Sequence, residues 1–211
     1  MGCPRVFSEV HDPVTNQDER LEFLLPRKAL WETSLGTIEY GNLIYNANLG
    51  GVEVLAKVVF PYGKDVHAHL AAQQMAPQLY GTSDLHGLAS VVVMELLKDD
   101  WMTLFYYRQN VHRSTGIPEG PRERLLKRLE EMLDYLSARG MVHGDFRMAN
   151  VMLKPGIEEK AVLIDFDWAI EAGRARYSLS RSDGFGYPGE PGGPIGAEDD
   201  RRLYETWKDE A

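Results

Sequence analysis

One cysteine, Cys3, stands in 211 residues, and no Asn-x-Ser/Thr acceptor occurs. No internal disulfide can form, so a secreted scaffold stapled by disulfides is a poor description of this chain. Long apolar runs are missing too. The most apolar stretch, Leu88 to Leu97, contains Glu95 and is half the ~20 residues that a membrane helix needs, so no membrane span is expected. Basic residues are outnumbered, 23 Lys and Arg against 32 Asp and Glu, for a net charge of −9. A phosphate-backbone binder needs a clustered Lys/Arg surface, so nucleic acid is not an expected partner. No apolar signal-peptide core follows the first residues, and Val6 stands where a myristoylation site wants Ser or Thr, which argues against lipid at Gly2 or Cys3. The remaining expectation is an intracellular protein of the reducing cytoplasm, with the nucleus left open.

What is present is an ordinary globular chain, 44% hydrophobic and 26% charged, able to bury one core. Residues 1–28 read as a mostly polar leader with Pro4, Pro13 and Pro26 and one short amphipathic piece, Leu21 to Leu25. From Ala29 to Phe60, β-branched and aromatic residues broken by turns predict three antiparallel strands, with Gly50-Gly51 as a hairpin turn. Asp65 to Gln74 predicts a helix closed by Pro77. The run Val91-Val92-Val93 predicts a strand covered on both faces. Leu125, Leu126, Leu129, Met132, Leu133 and Leu136 recur at helical spacing, with Pro121 early and Gly140 just past the end. Val151–Leu153 and Ala161–Ile164 predict a hairpin around Pro155-Gly156. Beyond Gly173 a Gly/Pro loop leads to a last helix over Ala197–Lys208, whose Glu198-Asp199-Asp200 suit the positive end of the helix dipole.

The chemistry concentrates in His143-Gly144-Asp145-Phe146-Arg147-Met148-Ala149-Asn150, followed by Asp165-Phe166-Asp167 after an apolar strand. Phosphoryl transfer needs in-line positioning and charge neutralisation more than covalent chemistry, so the site must supply oxygen ligands and acceptors at fixed spacing. Asp145, Asn150 and Asp165 meet that requirement. His67-Ala68-His69 is not read as a metal pair, because positions i and i+2 of a helix point to different faces.

These motifs resemble the protein-kinase-like superfamily over roughly Leu35 to Ile170, with His-Gly-Asp in the form typical of aminoglycoside and choline kinases. Tyr62-Gly63-Lys64, Ala76-Pro77, Asp165-Phe166-Asp167-Trp168 and Arg176-Tyr177 look like the small divergent kinase-like proteins abundant in fungi. The resemblance implies an α+β fold of two lobes. Residues 29–97 would form a small antiparallel N-lobe sheet with one helix and the hinge, 98–177 a minimal helical C-lobe, and 178–211 the Gly/Pro loop and last helix. It implies ATP and Mg²⁺ as cofactors and a hydroxyl-bearing acceptor, protein or small molecule. Asp145 would be the base, Arg147 would offset charge on the transferring group, and Asn150 and Asp165 would hold the metal. Lys57, within Val54-Leu55-Ala56-Lys57, would orient the phosphates. Gly36 and Gly41 would be what remains of the glycine loop, and Met94, Glu95 and Leu97 would line the adenine site.

The departures are specific. No Glu follows Lys57 in the next helix, the glycine loop carries bulky Ile38-Glu39-Tyr40, and only 34 residues follow Tyr177. The leading expectation is an atypical protein serine/threonine kinase. A nucleotide- or partner-binding pseudokinase and a small-molecule kinase stand as alternatives, and the chain itself is either whole or a piece of a longer kinase.

Overall fold

A computed structural model describes residues 8–12, 17–26, 30–33, 36–39, 43–84, 89–98, 100–113, 116–179, 184 and 186–211. By its internal contacts the chain forms two compact units, Met1–Pro61 with Gln78–Leu96, and Tyr62–Pro77 with Leu97–Ala211.

The first unit is built on strands β1 (Ser8–Asp12), β2 (Gln17–Pro26), β3 (Leu30–Thr33), β4 (Gly36–Glu39), β5 (Ile44–Leu49) and β6 (Val52–Val59), with β7 (Leu79–Asp84) and β8 (Ser90–Glu95) entering later. Six of these close an antiparallel barrel in the order β1-β2-β5-β6-β8-β7, while β3 and β4 pair apart from it. The barrel exceeds the expected three strands: the stretch read as a polar leader supplies β1 and β2, and Leu21 is fully buried. Alternation sets which residues fill it. Val54 and Ala56 of β6 turn inward with Ala47 and Leu49 of β5, as the two-residue period of a strand dictates. β8 pairs with β6 on one side and β7 on the other, and Val91, Val92 and Val93 are all buried. The β5–β6 hairpin turns at Gly50-Gly51, where the side chain of Asn48 accepts the Gly51 N–H at 2.9 Å.

The second unit gathers around one apolar core. Helix α1 (Lys64–Ala72) buries Val66, Leu70 and Ala71 there. The sequence expectation grouped this helix with the small sheet; helical periodicity identifies a buried face but not the surface that covers it. A short α2 (Leu104–Tyr106) runs into a π-turn, and α3 (Glu119–Ser137) then brings Leu125, Leu129, Met132, Leu133 and Leu136 into the same core. Short strands β9 (Met102–Thr103), β11 (Val151–Leu153) and β12 (Val162–Leu163) form one sheet, and β10 (Met141–Val142) pairs with β13 (Ile170–Glu171). Helix α4 (Asp199–Trp207) closes the unit with Leu203, Tyr204 and Trp207. Burying a side chain of this size contributes about 1.5–3 kcal/mol, so α3 and α4 set the platform on which the 143–150 segment rests. Among the described residues no helix is long and apolar enough to cross a membrane.

Candidate active site

Residues 143–150 connect β10 to β11, and the carboxylate of Asp145 is their centre. Arg147 grips it as a fork, Nε 2.5 Å from Oδ1 and Nη2 donating to Oδ2 at 2.7 Å. Asn150 donates its side-chain amide to Oδ2 at 2.7 Å and to the Asp145 carbonyl at 2.9 Å. The hydroxyl of Tyr187 donates to Oδ1 at 2.7 Å. Burial disfavours the Arg147 cation, but Asp145 first, then Tyr187 and Asp165, outweigh it and hold the guanidinium above its ordinary range.

The loop is fixed from behind. His143 is buried; its Nδ1 accepts the Asp145 N–H at 3.3 Å and its Nε2 donates to the Ile164 carbonyl at 2.9 Å. Asp200, at the start of α4, accepts the His143 N–H at 2.5 Å and the Gly144 N–H at 2.8 Å. Burial pushes the Asp200 carboxyl above the ordinary carboxylate range, against the pull of His143 and of the two amides. Gly144 has φ 82°, and a Cβ there would stand 3.0 Å from Trp168 and Ile195. A side chain at this point meets strain and crowding together, which accounts for His-Gly-Asp.

Asp165 follows β12 with φ 68° and is exposed. A non-glycine residue in the left-handed region is strained by about 1–3 kcal/mol, a cost that clusters at functional sites. The next residue, Phe166, is buried and stacks on His67 of α1 at 4.4 Å between ring centroids, with His143 edge-on at 5.2 Å. His67 donates from Nε2 to the Pro77 carbonyl at 2.8 Å and accepts the Tyr62 hydroxyl at Nδ1, 2.6 Å away. Burial lowers the His67 pKa to about 4. Tyr62 is held well above its ordinary value by burial, then by the charges of Asp167 and Asp165.

The structure therefore places Asp145, Arg147 and Asn150 in direct contact and Asp165 within electrostatic reach of Arg147. The other expected residues lie mainly in the first unit. Lys57 is half-buried on β6 opposite Ile44 and Val92. Met94 is buried on β8, and the Glu95 N–H donates to the Gln78 carbonyl at 2.8 Å. Gly36 opens β4 opposite Thr33, Leu97 is half-buried at the start of a segment of the second unit, and Gly41 is outside the described residues.

Sequence reasoning missed Asp200, Tyr187 and the partners of His67. For Asp200 a signal existed: positions 200, 203, 204 and 207 form one helical stripe with Leu203, Tyr204 and Trp207, so this acid stands where an apolar residue would. Tyr187 lies in an aperiodic Gly/Pro stretch with no such signal.

A hard divalent cation prefers oxygen ligands, and magnesium is commonly held by one or two protein groups plus substrate phosphates. Asn150 gives its amide nitrogen to Asp145, which turns Oδ1 the other way, and Asp165 is an exposed carboxylate; the pair fits such an ion. Among the described residues no group of three or more His, Cys, Asp or Glu gathers to hold a metal, and a magnesium bound largely through phosphate does not need one.

The family described as lipopolysaccharide kinase (Kdo/WaaP) matches residues 67–178, from α1 past the turn at Asp165. Among solved structures, the Cydia pomonella granulovirus kinase PK-1 is similar with a TM-score of 0.62 at 17% identity, over 90% of this chain and 67% of that one. Vaccinia related kinase 3 is similar at 0.57 and 13%, over 96% and 66%. This chain thus spans about two thirds of the length of each, and the likeness establishes a protein-kinase-like fold. No curated protein matches. With the family match running over more than half the chain, across the Asp145 loop and the Asp165 turn, this chain belongs to the lipopolysaccharide kinase (Kdo/WaaP) family of phosphotransferases, a family that implies ATP and a hydroxyl acceptor.

Proposed function

We propose that the chain transfers the γ-phosphoryl group of ATP to a hydroxyl, with Asp145 as the base. The observation that carries this reading is the contact of Tyr187 with Asp145: a neutral hydroxyl donates to a carboxylate oriented by Arg147 and Asn150, the relation that a base requires with the hydroxyl it deprotonates. Arg147 keeps the carboxylate oriented and places a permanent cation beside the transferring group. Asn150 and Asp165 are the residues that would hold magnesium, whose chemistry is to neutralise charge on the phosphates. Lys57 is the phosphate-orienting cation, with Met94, Glu95 and Leu97 at the adenine edge and Gly36 and Gly41 in the reduced glycine loop.

The acceptor we favour is a sugar hydroxyl, over the serine or threonine of a protein. The Gly/Pro segment reaches Asp145 through Tyr187, which favours a confined acceptor site, and the family's printed name points to a lipopolysaccharide. The likeness to the fungal kinase-like group, resting on the motifs, is compatible with either. The absence of a Glu from α1 favours the pseudokinase reading.

Calorimetry of ATP binding with and without magnesium, using Asp165→Asn as control, separates these. Binding that needs both magnesium and Asp165, with phosphoryl transfer falling about 10²–10⁴-fold in Asp145→Asn, is expected. No binding at millimolar ATP would identify a scaffold.

A further inference from the structure

Trp168 follows Asp165-Phe166-Asp167 and is pinned to the Asp145 loop by a missing atom. A Cβ on Gly144 would lie 3.0 Å from the Trp168 Cβ, from its carbonyl oxygen and from Ile195, so the glycine that precedes Asp145 is what lets Trp168 close against the loop. The indole stands edge-on to Tyr177, 6.2 Å between ring centroids, and tilted against Tyr187 at 5.6 Å. From the far side the hydroxyl of Tyr187 reaches Asp145 Oδ1 at 2.7 Å. Trp168 and Tyr187 thus form one aromatic corner beside the base, and all of these residues lie within the second unit.

Burial sorts the rings of this cluster. Tyr177 is 3% exposed and belongs to its core with Val142, Ala175 and Ile195, whereas Trp168 and Tyr187 are half-buried at its margin. The rings of Phe146 and Phe166, in the same loop and turn, are buried. A ring kept for packing alone gains most when it is fully covered; an indole left half-open beside a base keeps an apolar surface for a ligand. A pyranose suits that surface, because its C–H groups pack flat on an aromatic ring while its hydroxyls project from the rim. The side chain of serine or threonine has no such face. We infer that Trp168 is the acceptor platform of this site: a sugar ring stacks on its indole beside Tyr187 and presents one hydroxyl to Asp145 Oδ1, in the place that the Tyr187 hydroxyl takes here. The inference rests on the phosphotransferase reading above and narrows its acceptor to a cyclic sugar. Trp168 holds the acceptor and moves no proton, so its loss raises the acceptor KM and leaves ATP binding alone.

The test is an NMR titration of the indole N–H signals of the full chain, which has four tryptophans; Trp168→Phe identifies the signal of interest. The probes are methyl α-D-glucopyranoside and methyl α-D-mannopyranoside, with sorbitol as a polyol that lacks the ring face, and ATP binding and ADP release with magnesium are followed in parallel. Both glycosides are expected to shift the Trp168 signal and sorbitol to leave it in place. With either glycoside as acceptor, Trp168→Leu should raise its KM about five- to tenfold at an unchanged KM for ATP, and Trp168→Phe should restore most of the loss. Glycosides that leave the Trp168 signal unmoved up to decimolar concentration, or move it no more than sorbitol does, overturn the inference; ATP binding and ADP release in that case leave the phosphotransferase reading standing. An acceptor KM unchanged in Trp168→Leu overturns the inference as well. A shifted Trp168 signal with neither ATP binding nor ADP release removes the phosphotransferase reading, and the acceptor role of Trp168 with it.

Discussion

The carboxylate of Asp200 holds the backbone N–H of His143 at 2.5 Å across 57 positions of the chain, and that of Gly144 at 2.8 Å. Two consecutive amides bound by one buried acid fix the direction of the peptide that leads into Asp145. Asp200 is therefore a positioning residue.

Asp200→Asn tests this. An amide cannot accept with both ends, so one buried N–H is left facing a donor, at a cost of about 1–3 kcal/mol. For a domain of this size that lowers Tm by roughly 2–12 °C. Because the loop loses its direction, ADP release with magnesium and ATP falls at temperatures where the variant is still folded. A variant that melts with the wild type and keeps its rate would remove Asp200 from the positioning machinery.

The His67 contacts require the neutral ring, and burial depresses its pKa to about 4 against ~6.5 for the unfolded chain. The sign follows from proton counts: between these values the unfolded chain binds a proton that the fold excludes, so the contribution is complete above pH 6.5 and is lost as pH falls towards 4. From pH 7.5 to 5 the loss is about 2 kcal/mol. Urea unfolding at both pH values should show His67→Gln, which cannot titrate, losing that much less than the wild type. Equal losses in the two proteins would exclude His67 as the acid-sensitive group.

Gly63 precedes α1 and donates its N–H to the Phe166 carbonyl at 2.8 Å. A Cβ there would meet the Ala169 carbonyl oxygen at 2.0 Å, a backbone atom that cannot swing aside. Gly63→Ala should cost about 3 kcal/mol. Gly120, inside α3, has only the Arg124 side chain near its would-be Cβ, at 3.7 Å, so Gly120→Ala should stabilise by about 0.5 kcal/mol. Denaturant midpoints moving the same way in the two variants would contradict the contact geometry.

Tyr204 is fully buried, packed against Phe146 and Trp207, and its hydroxyl has no hydrogen-bond partner among the described residues. Tyr204→Phe keeps the ring contacts and removes a desolvated polar atom, so stability should rise by up to about 1 kcal/mol. Calorimetric melting that drops in this variant would show that the hydroxyl is satisfied in solution.

The elements legible from sequence are those with one dominant period. The apolar stripe of α3 and the uninterrupted Val91-Val92-Val93 of β8 each announce how they are buried. The spacing of Asp145, Arg147 and Asn150 is equally plain, because these residues are local to one loop. Strands β1 and β2 were not legible: Glu9, Asp18, Glu19, Arg20 and Glu22 mask a pattern of which Leu21 is the fully buried member. Asp200 and Tyr187 act across long chain separations, and a single sequence carries no distance information. The same limit applies to α1, whose buried face is readable while its covering core is assembled from segments far downstream.

The barrel of the first unit closes where β1 meets β7, at the single described register pair His11↔Thr82, whereas β6 and β8 share six. A closed ring offers a foreign strand little unpaired backbone edge, so recruitment by strand addition is disfavoured while that seam holds. Among the described residues it is the seam with the fewest register pairs, and a breathing motion that parts β1 from β7 would turn the ring into a curled ribbon with two fresh edges. Amide protons along β1 and β7 are then expected to exchange before those of β6 and β8.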